Sequence, residues 1–93
     1  MPFGRYLRET REDREITLTE LARRVQISIP YLSRIERERE NPPPDHLLSA
    51  LAEALDVPRD QVFARAHRLP PDLRARTGDV IASYRAQQAR GAR

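Results

Sequence analysis

Between Thr17 and Arg39 the chain reads TLTELARRVQISIPYLSRIERER, a stretch with little freedom in what it can form. Thr17 is an N-cap candidate: its hydroxyl can accept a backbone N–H of a first helical turn, and Glu20, three residues on, completes a capping box. Leu18, Leu21, Ala22 and Val25 then fall at i, i+3, i+4 and i+7, the apolar stripe of a short helix that ends near residues 24–26. Basic residues in its last turn suit the negative end of the helix dipole. Ile27 fits a buried turn. Ser28 caps a second helix, with Pro30 in the first turn, where the missing N–H does no harm. Leu32 and Ile35 lie on one side of this helix; Pro30, Ser33, Arg34 and Arg37 lie on the other. The pattern predicts two short helices joined by a tight turn, the second with one oily face and one polar, Arg-bearing face. Such a face suits the DNA major groove, although an ordinary solvated helix also carries one.

The rest of the chain reads as helix and proline-rich loop. Across residues 2–14, Phe3, Tyr6, Leu7 and Thr10 keep helical spacing, Pro2 suits a first-turn position, and residues 13–16 read as a turn. ERERE, residues 36–40, reads as a solvated charge run. Asn41-Pro42-Pro43-Pro44 is a loop, since consecutive prolines cannot sit inside a helix. A helix from Pro44 or Asp45 to Leu55 carries Leu47, Leu48, Leu51, Ala52 and Leu55. Pro58 opens another, to about His67, burying Val62, Phe63 and Ala66. Leu69-Pro70-Pro71 breaks the chain again. In the tail, Leu73, Thr77, Val80, Ile81, Tyr84 and Gln88 would line one stripe of a single helix, which Gly78 weakens by about 1 kcal/mol relative to Ala. Alternatively Gly78-Asp79 ends one turn and caps a helix running to about Gln88. No strand-like alternation, internal repeat or low-complexity segment is present, so the expected class is all-α.

Composition narrows the function classes. A chain of 93 residues fits one small domain with a modest core, whose stability can lean on a partner subunit. Charged residues of both signs make up 33% of it, which argues against both a membrane protein and a disordered tail. No apolar run approaches the ~20 residues of a membrane span. The start, MPFGRYLRE, lacks the apolar core of a signal peptide, so a cytoplasmic location is expected. Without cysteine there are no disulfides or thiolate metal sites. The net charge of +3 and the pI near 10.2 lean towards polyanionic partners. All 17 basic residues are Arg; codon preference explains that most simply, yet the planar guanidinium fork suits phosphates and guanine edges better than an ammonium does. An enzyme reading has little support. His46 and His67 are well separated, and Asp45, His46 and Ser49 share an exposed first turn that does not supply a buried triad. No catalytic residue, metal or cofactor is expected.

The order helix, capped short helix, turn, capped helix, loop, apolar helix resembles the helix-turn-helix domain of the phage-repressor-like (Xre) family. The segments LRETREDREITLTELARRVQISIPYLSRIERE and NPPPDHLLSALAEALDV carry the likeness, most specifically TELARRVQIS and YLSRIER. The resemblance implies a five-helix lambda-repressor-like domain over residues 1–69, followed by a C-terminal helical extension over 70–93. It implies a transcriptional regulator, a repressor, binding double-stranded DNA as a homodimer on a palindrome-like operator. Thr17 and Leu18 then open the helix whose N-terminus faces a phosphate, and residues 28–37 become the recognition helix. Ser28 caps that helix. Ile29, Pro30, Ser33 and Arg34 lie nearest base edges, with Arg34 the candidate for direct readout of guanine. Tyr31, Arg37 and Arg39 reach phosphates. The resemblance also pairs Glu36 with Arg11. Three positions depart from the family pattern: Leu18 replaces a common Gln, and Gln26 and Glu38 replace turn glycines. Gln26 must therefore adopt a left-handed conformation or change the turn. A second implication is an antitoxin-type protein that binds a partner and autoregulates its operon. The stripe Val80, Ile81 and Tyr84 is open to three uses: such a partner, a homodimer contact, or packing on the core.

Overall fold

Six helices follow one another in the computed structural model, which describes residues 1–74: α1 (Phe3–Asp13), α2 (Leu18–Arg24), α3 (Ile29–Glu36), α4 (Asp45–Leu55), α5 (Arg59–Arg65) and α6 (Pro71–Arg74). No strand occurs among the described residues. The helical starts follow from local chemistry. Thr17 Oγ1 accepts the Glu20 N–H at 3.1 Å, and Ser28 Oγ accepts the Tyr31 N–H at 3.2 Å. The capping box is used in half, because the Glu20 carboxylate receives Arg24 at 2.7 Å instead. Pro2 stands one position earlier than expected, just outside α1, where its carbonyl accepts the Tyr6 N–H.

Five helices end in the same way, and none of them uses glycine. Glu15, Gln26, Glu38, Asp56 and His67 all take positive φ, between 54° and 62°. After α2 the Gln26 N–H bonds the Arg23 carbonyl and the Ile27 N–H bonds the Ala22 carbonyl. After α3 the Glu38 N–H bonds the Ile35 carbonyl and the Arg39 N–H bonds the Arg34 carbonyl. These paired bonds satisfy the orphan carbonyls of the last turn. A left-handed side-chain-bearing residue costs roughly 1 kcal/mol relative to glycine at such a site. The turn between α2 and α3 is thus kept intact by Gln26 at that cost. The same turn ends α5 at Arg65, two residues before the expected end, because His67 is left-handed.

The core collects Leu7, Leu21, Leu32, Leu48, Leu51, Leu55, Val62 and Phe63, all fully buried, with Phe3 and Tyr6 at its edge. Two tethers hold the surrounding loops. Arg68, past α5, donates to the carbonyls of Pro42 (2.9 Å) and Pro43 and meets Asp45 at 3.4 Å, fixing the proline loop. Gln61 donates to the Tyr6 hydroxyl at 2.7 Å, joining α5 to α1.

The start of α1 lies directly on the end of α3. A β-carbon at Gly4 would strike the Ile35 carbonyl and lie 2.5 Å from the Glu38 carboxylate and 2.8 Å from the Glu36 carbonyl. Glu38 exploits that approach: its carboxylate accepts the Arg5 N–H at 2.9 Å and so caps α1 from the turn that ends α3. The ERERE run is accordingly more than a solvated face. Glu36 is buried against Arg11, Glu38 caps α1, and Glu40 holds Arg34. Beyond Pro71 only the single turn of α6 is described; the expected helix over 79–88, with Val80, Ile81 and Tyr84, lies outside the described residues.

Candidate nucleic-acid interface

α3 is divided lengthwise. Leu32 and Ile35 are 0% and 1% exposed, so the helix is anchored from below. Ser28, Ile29, Pro30, Arg34 and Arg37 are exposed, Tyr31 and Ser33 half-buried. Arg39 is exposed just past the helix, with its backbone N–H in the terminal turn. Thr17 is exposed at the start of α2, whereas Leu18 beside it packs partly on the core. Ile29 is a large apolar side chain left 42% exposed, although the core is adjacent.

Arg34 is not idle in the free protein. Its Nε donates to Glu40 at 2.9 Å and its guanidinium lies 5.9 Å from the Tyr31 ring centre. Both members of the ion pair are substantially exposed, at 48% and 38%. Such pairs contribute only about 0–1 kcal/mol, so exchanging Glu40 for a base edge is energetically easy.

One ion pair beneath this surface joins it to α1. Arg11 of α1 donates through Nε and Nη2 to the two carboxylate oxygens of Glu36, at 2.8 and 3.0 Å, and through Nη1 to the Ile16 carbonyl at 2.9 Å. A bidentate fork of this kind fixes orientation as well as distance. The Glu36 hydrogen bond and charge raise the Arg11 pKa above its ordinary value against the opposing effect of burial, with a smaller contribution from Glu12. A raised basic group stabilises the fold at every pH below its unfolded pKa, so Arg11 contributes fully across the neutral range. The pairing implied by the resemblance is therefore present, and it ties α1 to the end of α3.

A family model described as a helix-turn-helix domain matches residues 2–62. The chain belongs to that family. Helix-turn-helix relatives include an uncharacterised HTH-type transcriptional regulator of Mycobacterium tuberculosis, 36% identical over 78 residues, which cover 84% of this chain and 55% of the relative. The HTH-type transcriptional repressor RghR of Bacillus subtilis is 36% identical over 64 residues, covering 69% and 47%. Among solved structures, SinR, the master regulator for biofilm formation, in complex with DNA, superposes with a TM-score of 0.61 at 28% identity, covering 64% of this chain and 95% of that one. The chain spans about half the length of the curated relatives it matches.

Against this helix-turn-helix frame, sequence reasoning missed the work done by Glu38 and Glu40. Their alternation with arginine hides distinct partners. A signal was available for Glu38, since a side-chain-bearing residue forced into the helix-ending position is held rigidly. Arg68 was missed because its partners are backbone carbonyls 25 and 26 residues away. Asp45 meets Arg68 at 3.4 Å, a contact 23 residues away that its own helical turn does not announce. Among the described residues no group of three His, Cys, Asp or Glu side chains is arranged to hold a metal ion.

Proposed function

We propose that the protein is a sequence-specific, double-stranded DNA-binding transcriptional regulator that acts as a repressor. One observation carries the reading: α3 is locked to the core by Leu32, Ile35 and the Arg11–Glu36 pair, yet turns Ile29, Pro30, Arg34 and Arg37 outward. A helix held that firmly loses little further conformational freedom on entering the major groove. Arg34 donates two hydrogen bonds to a guanine edge, Ile29 and Pro30 pack on thymine methyl groups, and Ser33 lies beside them. Tyr31, Arg37 and Arg39 contact phosphates, with Ser28, Thr17 and Leu18 along the flank. The repressor RghR and the DNA complex of SinR support the same reading.

One α3 covers only a few base pairs, so the protein works as a homodimer, with two recognition helices about 34 Å apart on a palindrome-like operator. Residues 1–69 form the DNA-binding domain and 70–93 an extension for dimer or partner contact. The site of action is the cytoplasm; no helix among the described residues is long and apolar enough to cross a membrane.

Salt tests the reading. A dimer neutralising about six phosphates loses roughly a thousandfold in affinity as salt rises from about 50 to about 200 mM. Fluorescence anisotropy on labelled genomic fragments measures this. A salt-insensitive interaction, or none with any fragment, would favour the antitoxin-type reading, in which a protein is the main partner.

A further inference from the structure

The three glutamates around Arg37 are all engaged elsewhere. Glu36 is committed to Arg11, Glu38 to the Arg5 N–H, and Glu40 to Arg34. Arg37, inside a run of alternating charge, makes no ion pair with any described residue. Arg8 is in the same position on α1: Glu12, one turn on, lies against Arg11 at 4.0 Å, and Glu9 beside it pairs with Arg5. Both arginines are exposed, and both border one cleft of about 200 Å³ whose other walls are Arg11, Leu18, Ser33 and Glu36.

The charge of that cleft follows by subtraction. Arg11 and Glu36 neutralise each other through their bidentate contact, leaving two guanidinium groups that no described residue compensates. Ser33 adds a hydroxyl that can donate. Leu18 adds an apolar wall, which limits water and strengthens any ion contact made there. Two forks and a hydroxyl around a small cavity match the donor-hungry oxygens of a phosphate group. The position matches as well. Ser33, on α3, and Arg37, its C-cap, border the cleft next to Arg34, so a strand running along the flank of a groove-bound α3 passes over it.

We propose that this cleft seats one phosphodiester of the DNA backbone, gripped jointly by Arg8 and Arg37. The proposal rests on the DNA-binding reading above and adds Arg8, on α1, to the contact surface. The seat carries no base information. It fixes how far α3 enters the groove, and hence whether Arg34 meets a base edge.

The test uses the full chain and a random-sequence duplex of about 30 base pairs, with affinity measured against salt for wild type, Arg8→Gln, Arg37→Gln, the double variant and Arg8→Lys. Each Gln variant should lower the salt slope by about one per protomer, on random and preferred sequences alike. The double variant should lose scarcely more than either single, because both arginines hold the same phosphate. Arg8→Lys should recover most of the slope, and thermal melts of all variants should match wild type. An unchanged slope for Arg8→Gln, or losses that simply multiply in the double variant, would overturn the shared seat while leaving DNA binding intact. Failure of wild type to bind any duplex would overturn both. Millimolar inorganic phosphate shifting the Arg8 side-chain NMR signal as fully as duplex does would assign the cleft to a free anion instead.

Discussion

Replacing Arg11 with Met is expected to lower the unfolding free energy by about 3–5 kcal/mol, because it strands a buried carboxylate. The Glu36 side chain is only 5% exposed and Arg11 13%. Without the guanidinium, Glu36 loses both of its charge-assisted hydrogen bonds and is left a nearly buried, uncompensated charge, and the Ile16 carbonyl loses its donor as well. In a domain of this size each kcal/mol shifts Tm by about 4–8 °C, so the melt should fall by at least roughly 12 °C. Urea titration at neutral pH measures it. The double variant Arg11→Met with Glu36→Leu separates the two possible sources of the loss. Exchanging a whole buried ion pair for apolar side chains is often close to neutral, so the double should recover most of the stability. A double as unstable as the single would mean that packing volume, not the orphaned charge, dominates.

Gly4→Ala is the second large effect, and its sign is informative. Gly4 lies inside a helix at ordinary negative φ, where alanine normally stabilises by about 1 kcal/mol. Here the added methyl meets the carbonyls of Ile35 and Glu36 and the carboxylate of Glu38. Two of those are backbone atoms at the end of α3, which cannot yield unless α1 moves away. Moving it breaks the Glu38 cap on the Arg5 N–H. Overpacking of this kind typically costs about 1–3 kcal/mol, and steric conflict should outweigh the helix-propensity gain of about 1 kcal/mol, leaving a net loss of up to about 2 kcal/mol by urea titration. A stabilised Gly4→Ala variant would show that α1 and α3 are not in direct backbone contact.

Both predictions depend on the α1–α3 junction, which was the least legible part of the sequence. Helix positions were legible because their marks are local: Thr17 and Ser28 as caps, Leu18 to Val25 and Leu47 to Leu55 as stripes, the three prolines as a break. The oily side of α3 followed from Leu32 and Ile35 in the same way. What local pattern cannot show is which helix end meets which. Nothing near Gly4 announces a carbonyl of Ile35; within ERERE the resemblance pairs Glu36 with Arg11, as the structure has it, but no local pattern marks Glu38 as a cap or Glu40 as the partner of Arg34. The glycine-free helix ends were half visible. Gln26 was expected to strain the turn or change it, and it keeps the turn by adopting the left-handed conformation. Glu38 does the same, and its carboxylate accepts the Arg5 N–H of α1. For the proposed interface, periodicity shows which α3 side chains face outward; it does not show that Arg34 already rests on Glu40 and Tyr31.

The central claim is that the outward face of α3 reads base sequence. Duplexes enriched by wild type from a random library supply the preferred site, and wild type and Arg34→Ala are then compared on that site and on a random duplex. The account predicts a loss of roughly 10- to 100-fold for each half-site of the preferred duplex, corresponding to about 1–3 kcal/mol of discrimination per Arg34, with little change on random DNA. An equal loss on both duplexes would contradict it.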